Sequence, residues 1–431
     1  MTSNINSKSN YIYKCKINNK ISYLLLFLLL AFSGNPIFDQ NKFLFLIFGA
    51  ILFTIIFLTK IKFEINFKIS LFQYILYFLI IFFLQLIVFS FVSLEGVINF
   101  CSKIVIGAVI VYLLGNSFRE KYLNIMYFLC IISLIGFFVN LNGIKIPPLL
   151  QIDHRSTYLF FVSDDNFFDE GIMRNCGMFW EPGAYSGYLL LVPLLYMGDL
   201  KELWGLHKKK CIVLVATLLT TLSTTGYIIL FLILIYSLIV KSGNKFFVYL
   251  ILPFIAAGIF SIYTQVDFLG EKIESQFENS LDNSNNTSEF SPDRFGAFAF
   301  DLYYIKKHPL IGNGLHSTTR YSDHKYLVRD VDSGLISHGN GFSNFVASMG
   351  ITSLLFYFYL IYKRFPFYKK ETVFVIVIIS LMLQGEQFLN FPLFLVLPFV
   401  QIPFKNEIEP KKNSRPSYLS QSNRQNQYPF I

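Results

Sequence analysis

Charge is scarce in this sequence: only 15% of its 431 residues are Asp, Glu, Lys or Arg. Soluble domains carry about a quarter, and 54% hydrophobic residues complete the argument against an ordinary soluble enzyme. A disulfide or metal framework is lacking too. The five cysteines (Cys15, Cys101, Cys130, Cys176 and Cys211) are odd in number and show no CxxC or Cys/His spacing. Only Cys176 falls in a long polar segment, where it reads as an exposed thiol. Neither a metal nor another cofactor is expected. The apolar runs show no period-2 alternation, which excludes a membrane β-barrel. No internal repeat is visible, which counts against a transporter built from inverted repeats. Glu95, Lys103 and Glu386 are expected at the ends of apolar runs, and centres without charge count against ion-coupled transport.

What is abundant is long apolar sequence, with 50 Phe and 26 Tyr. The runs predict an all-α, polytopic membrane helix bundle with about twelve transmembrane helices. They lie near 21–33, 43–59, 70–92, 102–116, 122–141, 184–199, 211–223, 226–240, 246–264, 341–362, 371–385 and 388–404. The stretch 211–240 is divided at Ser223-Thr224-Thr225-Gly226, where a turn can form at membrane depth if it packs on protein. Residues 1–20 form a basic tail before an uncleaved first span, since no small-residue cleavage site follows. The spans occupy 21–404, and 405–431 is a polar, disordered tail. The net charge of +9 reads as topology, and no nucleic-acid partner is expected. The basic links with Lys208–Lys210 and with Lys363, Arg364, Lys369 and Lys370 fall on one side, which the positive-inside rule makes cytoplasmic together with both termini.

Two long segments, 142–183 and 265–340, then lie outside, where long polar insertions usually carry function. In the second, 268–281 carries one apolar stripe (Leu269, Ile273, Phe277, Leu281). Ser291-Pro292-Asp293 starts a further helix with Phe295, Phe298, Ala299, Leu302 and Ile305 as its apolar face, ended by Pro309. Both helices are expected at the membrane surface.

The candidate chemistry sits where these segments meet spans. Arg174 and Glu181 flank Phe179 and Trp180, which read as interfacial aromatics, and Pro182 suits a helix start. An arginine with an acid beside a bilayer suits a phosphate or a sugar. Arg294 stands at a helix start, where backbone N–H groups favour an anion. His308 opens the turn-rich strip His308–Gly314 and is expected to cap a helix. His338, flanked at 339 by glycine and followed by Asn340, titrates near neutral pH at the mouth of a span. Arg320, Lys325 and Arg329 read as exposed loop charge.

Four segments carry a family resemblance: MRNCGMFWEPGAYSGYLLL (173–191), LSTTGYIILFL (222–232), DRFGAFAFDLYYIKKHPLIGNGL (293–315) and SHGNGFSNFVASMGI (337–351). In order and placement they resemble the bacterial O-antigen polymerase and ligase superfamily, the Wzy-type polysaccharide polymerases. Two positions depart from the family pattern: Gly339 separates His338 from Asn340, and the residue eleven after Arg174 is Tyr185 rather than Gly.

The resemblance implies a GT-C-like membrane glycosyltransferase of the bacterial inner membrane. It would join polyprenyl-diphosphate-linked oligosaccharide repeats at the outer face, with membrane lipid and a chain-length regulator as partners. Arg174 and Arg294 would hold the diphosphate, and His338 would assist the acceptor hydroxyl. Glu181, His308 and Asn340 would bind substrate. Three alternatives stay open: a ligase of the same superfamily, a flippase or exporter of lipid-linked sugars, and a structural or sensing membrane protein.

Overall fold

The computed structural model describes residues 18–39, 42–144, 147–152, 155–164, 173–241, 294–320, 340–365 and 367–401. The expected stripe 268–281, the span 246–264, residues 1–17 of the N-terminal tail and the C-terminal tail lie outside these residues. Helix dominates from the start: α1 (Asn19–Ala31), α2 (Pro36–Asp39), α3 (Lys42–Leu58), α4 (Ile65–Phe89), α5 (Leu94–Leu114) and α6 (Phe118–Leu141). Among the described residues, Ile65–Phe89 and the interrupted stretch Leu94–Leu141 are long and apolar enough to cross a membrane. On α4, Phe72 is 64% exposed and Ile87 62%. A surface of this kind suits lipid, since water-facing monomers rarely display large contiguous apolar patches.

Helix α5 begins eight residues earlier than the expected span. Ser93 supplies the cap, its Oγ accepting from Gly96 N at 3.2 Å. Lys103 therefore sits within the helix instead of at its end, and its Nζ donates to Asn390 O at 2.8 Å.

The long segment after α6, expected as a polar loop, contains regular structure. It holds a three-stranded antiparallel meander of β1 (Leu150–Ile152), β2 (Arg155–Thr157) and β3 (Val162–Asp164). Its Phe161 ring lies where a Cβ on Gly136 of α6 would be. The small sheet thus rests on the end of α6, closed by Phe137 and Met173.

Helix α7 (Pro182–Leu195) has Pro182 in its first turn, as expected, and buries nearly every residue. A helix apolar on all sides belongs at the centre of a bundle. Around it pack α6, α8 (Leu200–Thr220) and α9 (Thr224–Lys241), with α14 (Lys369–Gly385) behind. The division of 211–240 is observed: the chain turns between Thr220 and Thr224.

The remaining helices are α10 (Arg294–Lys307), α11 (Ser317–Arg320), α12 (Gly341–Met349), α13 (Ile351–Arg364) and, after α14, α15 (Pro392–Leu395). The expected span 341–362 is two helices bent by 114°. Gly350, at φ +79°, makes the corner, and the strip His308–Gly314 splints it. Ile351 N donates to Pro309 O at 2.9 Å, Asn313 N to Ala347 O at 2.8 Å and Gly314 N to Ser348 O at 3.0 Å. A Cβ on Gly350 would collide with the Leu310 carbonyl, and one on Gly312 with Ser348 backbone. Backbone against backbone leaves no flexible atom to give way, so glycine is required at both positions.

The apolar run 388–404 is not a membrane helix. Two 3-10 turns, Phe388–Asn390 and Leu397–Phe399, flank the single turn α15, with prolines at 392 and 398. The run passes through the core from the end of α14 to the end of α13, where the Arg364 guanidinium lies 4.7 Å from the Phe399 ring. Irregular backbone at such depth needs partners inside the protein. Tyrosines supply them: Tyr357 OH donates to Phe394 O at 2.7 Å and Tyr74 OH to Leu395 O at 3.0 Å. Ser33 Oγ accepts from Leu393 N at 3.1 Å.

Candidate functional site

Several helix ends meet at one end of the bundle: the start of α7, the α8–α9 turn, the end of α14 and the start of α12. Each leaves unsatisfied backbone groups, and polar side chains gather there. Asn175 closes a tight turn, its Oδ1 accepting from Gly177 N at 2.9 Å. Gly177 has φ +56°, and a Cβ there would enter the Tyr185 ring. This turn presents Arg174 to the end of α8, where its Nε donates to Thr221 O at 3.2 Å and its Nη2 to Leu222 O at 3.3 Å. A cation at a helix C-terminus also complements the dipole. Leu222 itself adopts φ +48°, an uncommon conformation for a leucine, with the Arg174 contact on its carbonyl.

The seam continues from that turn. Ser223 Oγ accepts from Gly226 N at 3.2 Å and lies 3.1 Å from Ser186 Oγ of α7. Thr225 packs on Gly385, beside the buried Glu386. Gly183, Ser186, Thr225 and Glu386 line a cavity of about 10 Å³, the size for a single water. A Cβ on Gly341 would collide with the Glu386 carbonyl, so α12 starts directly against the end of α14.

Asn340 caps α12, its Oδ1 accepting from Ser343 N at 3.0 Å and its Nδ2 donating to Gln384 Oε1 at 2.7 Å. Ser343 Oγ then donates to Asp301 Oδ2 at 2.7 Å, and Arg320 Nη2 to Asp301 Oδ1 at 2.8 Å. Arg320 Nη1 also donates to Ser348 Oγ at 2.9 Å. Both members of the ion pair are buried, Asp301 completely. Two fixed hydrogen bonds to one carboxylate offset part of its desolvation, and removing either partner of a buried pair typically costs about 3–5 kcal/mol.

The sequence-based candidates divide. Arg174 and Asn340 belong to the seam. Glu181 is the N-cap residue of α7, adjoining it. Arg294 is the first residue of α10, two turns before Asp301, about 10.5 Å along the axis at 1.5 Å per residue. His338 lies outside the described residues, two positions before Asn340. His308 follows α10, its N–H donating to Tyr304 O at 3.2 Å, and its ring meets Phe89 edge-on at 4.8 Å. Burial, with Lys307 beside it, pulls its pKa below the ordinary histidine value. It caps α10, as expected, and opens the strip that splints the α12–α13 corner, but none of its described contacts joins the seam.

Other expectations are overturned. Arg320 is no exposed loop charge but the cation of a buried pair. Cys176 is buried, not exposed. Phe179 is a core residue, stacked on Tyr188 at 4.1 Å and fully buried. Trp180 stacks on Phe391 at 4.4 Å. The face that α10 buries carries Ala297, Asp301 and Tyr304, while Phe298 of the expected apolar face is 38% exposed. The ion pair with Arg320 decides which face turns inward. Asp301 is not among the sequence-based candidates, although a lone acid inside FAFDLYY (298–304) is a usable signal. Arg320 sits in a polar stretch and gives no signal at all.

Among the described residues no group of three or more His, Cys, Asp or Glu could hold a metal ion. No family model matches the chain, and no curated protein matches it.

Proposed function

We propose that this protein is a polysaccharide polymerase, a multi-pass glycosyltransferase that joins polyprenyl-diphosphate-linked oligosaccharide repeats at the outer face of a bacterial inner membrane. The observation that carries this reading is the polar seam from Arg174 through Asn340 to Asp301 and Arg320, placed at one end of helices whose flanks are apolar. Such a placement suits a substrate with its tail in lipid and its charged, sugar-bearing head at the surface. The four segments of family resemblance converge on the same place: 173–191 supplies Arg174 and Ser186, 222–232 the turn, 293–315 Asp301, and 337–351 Asn340 and Ser343.

In this reading the donor head binds over the seam, since a diphosphate is far larger than the cavity within it. Arg174 and Arg294 offset the charge that develops on the leaving diphosphate. His338 receives the proton of the acceptor hydroxyl. The new glycosidic bond forms at the donor anomeric carbon as its bond to the diphosphate oxygen breaks. Asp301 and Arg320 act as positioning residues that hold α10 against α12. The finer architecture of the reading is a bundle of about twelve spans with both termini cytoplasmic.

Glycan gels from a strain lacking the gene test the proposal in cells. Long chains are expected to disappear and to return with the wild-type gene, but not with Arg174→Ala or His338→Ala proteins that insert normally. Unchanged chain length in the deletion strain rejects the proposal.

A further inference from the structure

Beside the seam, the end of α4 and the start of α5 enclose a second small cavity with the loop 314–319, its largely apolar wall broken by Gln85, Ser93, His316 and Thr319. From its lining we infer a subsite that holds a sugar hydroxyl of the acceptor glycan between His316 and Gln85. The inference rests on the polymerase reading for the identity of its ligand, and on geometry for the chemistry it recognises.

His316 immediately precedes the short turn α11, its carbonyl accepting from Arg320 N at 3.0 Å. Thr318 N donates to its Nδ1 at 3.2 Å, and Thr318 Oγ1 lies 2.9 Å from the same atom. An N–H aimed at Nδ1 requires a lone pair there, which assigns the ring proton to Nε2. His316 therefore offers a hydrogen-bond donor of fixed tautomer.

Gln85 offers the complement. Its Nε2 donates to Ile311 O at 2.7 Å and to Ser348 O at 2.9 Å. Flipping the amide would set oxygen against two carbonyl oxygens, so the orientation is determined. Its Oε1 is then an acceptor, fully buried and without a hydrogen-bond partner among the described residues. A buried acceptor left unmade costs about 1–3 kcal/mol, and such an exception calls for an explanation.

Gln85 and His316 line one cavity with Phe91, Ser93, Gly314 and Thr319. Its volume of about 10 Å³ admits one oxygen atom with its proton. Gly314 keeps it open: at φ +89°, a Cβ there would lie 2.9 Å from Thr319 Oγ1 and 3.8 Å from Gln85 Oε1. Phe91, 42% exposed, stands at the rim, its ring 5.3 Å from that of His316.

A cavity lined by one donor residue and one acceptor residue suits a group that both gives and takes a hydrogen bond. A hydroxyl does both, whereas a fully ionised phosphate ester has no proton to give Gln85. The exposed Phe91 ring offers an apolar surface to the face of a sugar. Gln85 also bonds Ser348 O, and Arg320 bonds Ser348 Oγ. The subsite is thereby tied to the Asp301–Arg320 pair, as an acceptor site beside the donor site should be.

The test uses the full chain in detergent with ¹⁵N-labelled histidine. Methyl glycosides of glucose, galactose and N-acetylglucosamine, and separately dimethyl phosphate, which has no proton to donate, are titrated in. The His316 Nε2 resonance, assigned by its loss in His316→Ala, is expected to move with a glycoside and not with dimethyl phosphate. Gln85→Leu and the rim variant Phe91→Ala should each weaken that response at least tenfold; Phe91 is exposed enough to be replaced without unfolding.

In elongation assays with a lipid-linked repeat as acceptor, His316→Ala should raise the acceptor KM at least tenfold with kcat within threefold. His316→Gln, which restores an N–H donor, should recover most of the loss. Absence of any glycoside response, an equal response to dimethyl phosphate, or an unchanged acceptor KM in His316→Ala overturns the inference. Glycoside binding by a protein that elongates nothing upholds the subsite and rejects the polymerase reading. Elongation with a normal acceptor KM in His316→Ala does the reverse.

Discussion

Asp301–Arg320 and Arg119–Asp199 are both buried ion pairs, at opposite ends of the same bundle. The second joins the start of α6 to the turn between α7 and α8, Arg119 Nη1 donating to Asp199 Oδ2 at 3.0 Å. It lies about 20 Å from the seam, the length of α7 at 1.5 Å per residue. There the guanidinium stacks 4.2 Å from the Tyr196 ring. The Asp301 carboxylate, by contrast, receives Arg320 and Ser343 on separate oxygens, and Arg320 continues to Ser348. The far pair is a clasp between neighbouring elements. The seam pair is one link in a network that reaches Asn340 and, through the α12 start, Glu386. A clasp can be replaced by any well-packed contact, whereas a network of this kind sets the positions of groups beyond it.

That difference can be broken experimentally, and the largest effect is expected at Asp301. Asp301→Ala should lose about 3–5 kcal/mol of stability, because Arg320 is left buried without its carboxylate, and should abolish elongation. Asp199→Ala should lose a similar amount in thermal unfolding. The double replacements separate the two. Arg119→Met with Asp199→Leu should restore both stability and elongation, since apolar residues of similar volume often replace a buried pair without loss. Arg320→Met with Asp301→Leu should restore stability but not elongation. Equal elongation by both double variants would erase the distinction.

Next in size is Arg174→Lys. An ammonium cannot reproduce the fork on the Thr221 and Leu222 carbonyls, so elongation should fall about tenfold, ~1.4 kcal/mol, with little change in unfolding temperature. Tyr357→Phe removes the donor to a buried carbonyl in the broken segment 388–399 and should cost about 1–3 kcal/mol, with the acceptor KM unchanged.

The smallest effect concerns His308. Its pKa is depressed in the folded protein, so the unfolded chain binds more protons as pH falls through the ordinary histidine value near 6.5. Stability should therefore decline slightly below that pH, and His308→Asn should flatten the decline measured by unfolding.

The sequence displayed some of this architecture and concealed the rest for physical reasons. Helix starts with local chemistry were legible: Pro182 opens α7, and the Ser-Thr-Gly turn divides α8 from α9. Position 174 could be placed at a helix junction because a charged residue before a long apolar run stands out. The run 388–404 misled, because composition alone cannot tell a lipid-facing helix from a chain buried on every side. Only the distant hydroxyls of Tyr74 and Tyr357 make that irregular path tenable. The inward face of α10 was also misread, since apolar periodicity cannot reveal that Asp301 will find Arg320. Gln85 gave no sign of its role, which depends on carbonyls at 311 and 348.

The most direct test of the central claim uses purified protein in liposomes with a polyprenyl-diphosphate-linked oligosaccharide as sole substrate, resolved by glycan length. A ladder of longer lipid-linked chains is expected with wild-type protein and none with the Arg320→Met, Asp301→Leu protein. Wild-type protein that moves the substrate across the bilayer but leaves its length unchanged would contradict it.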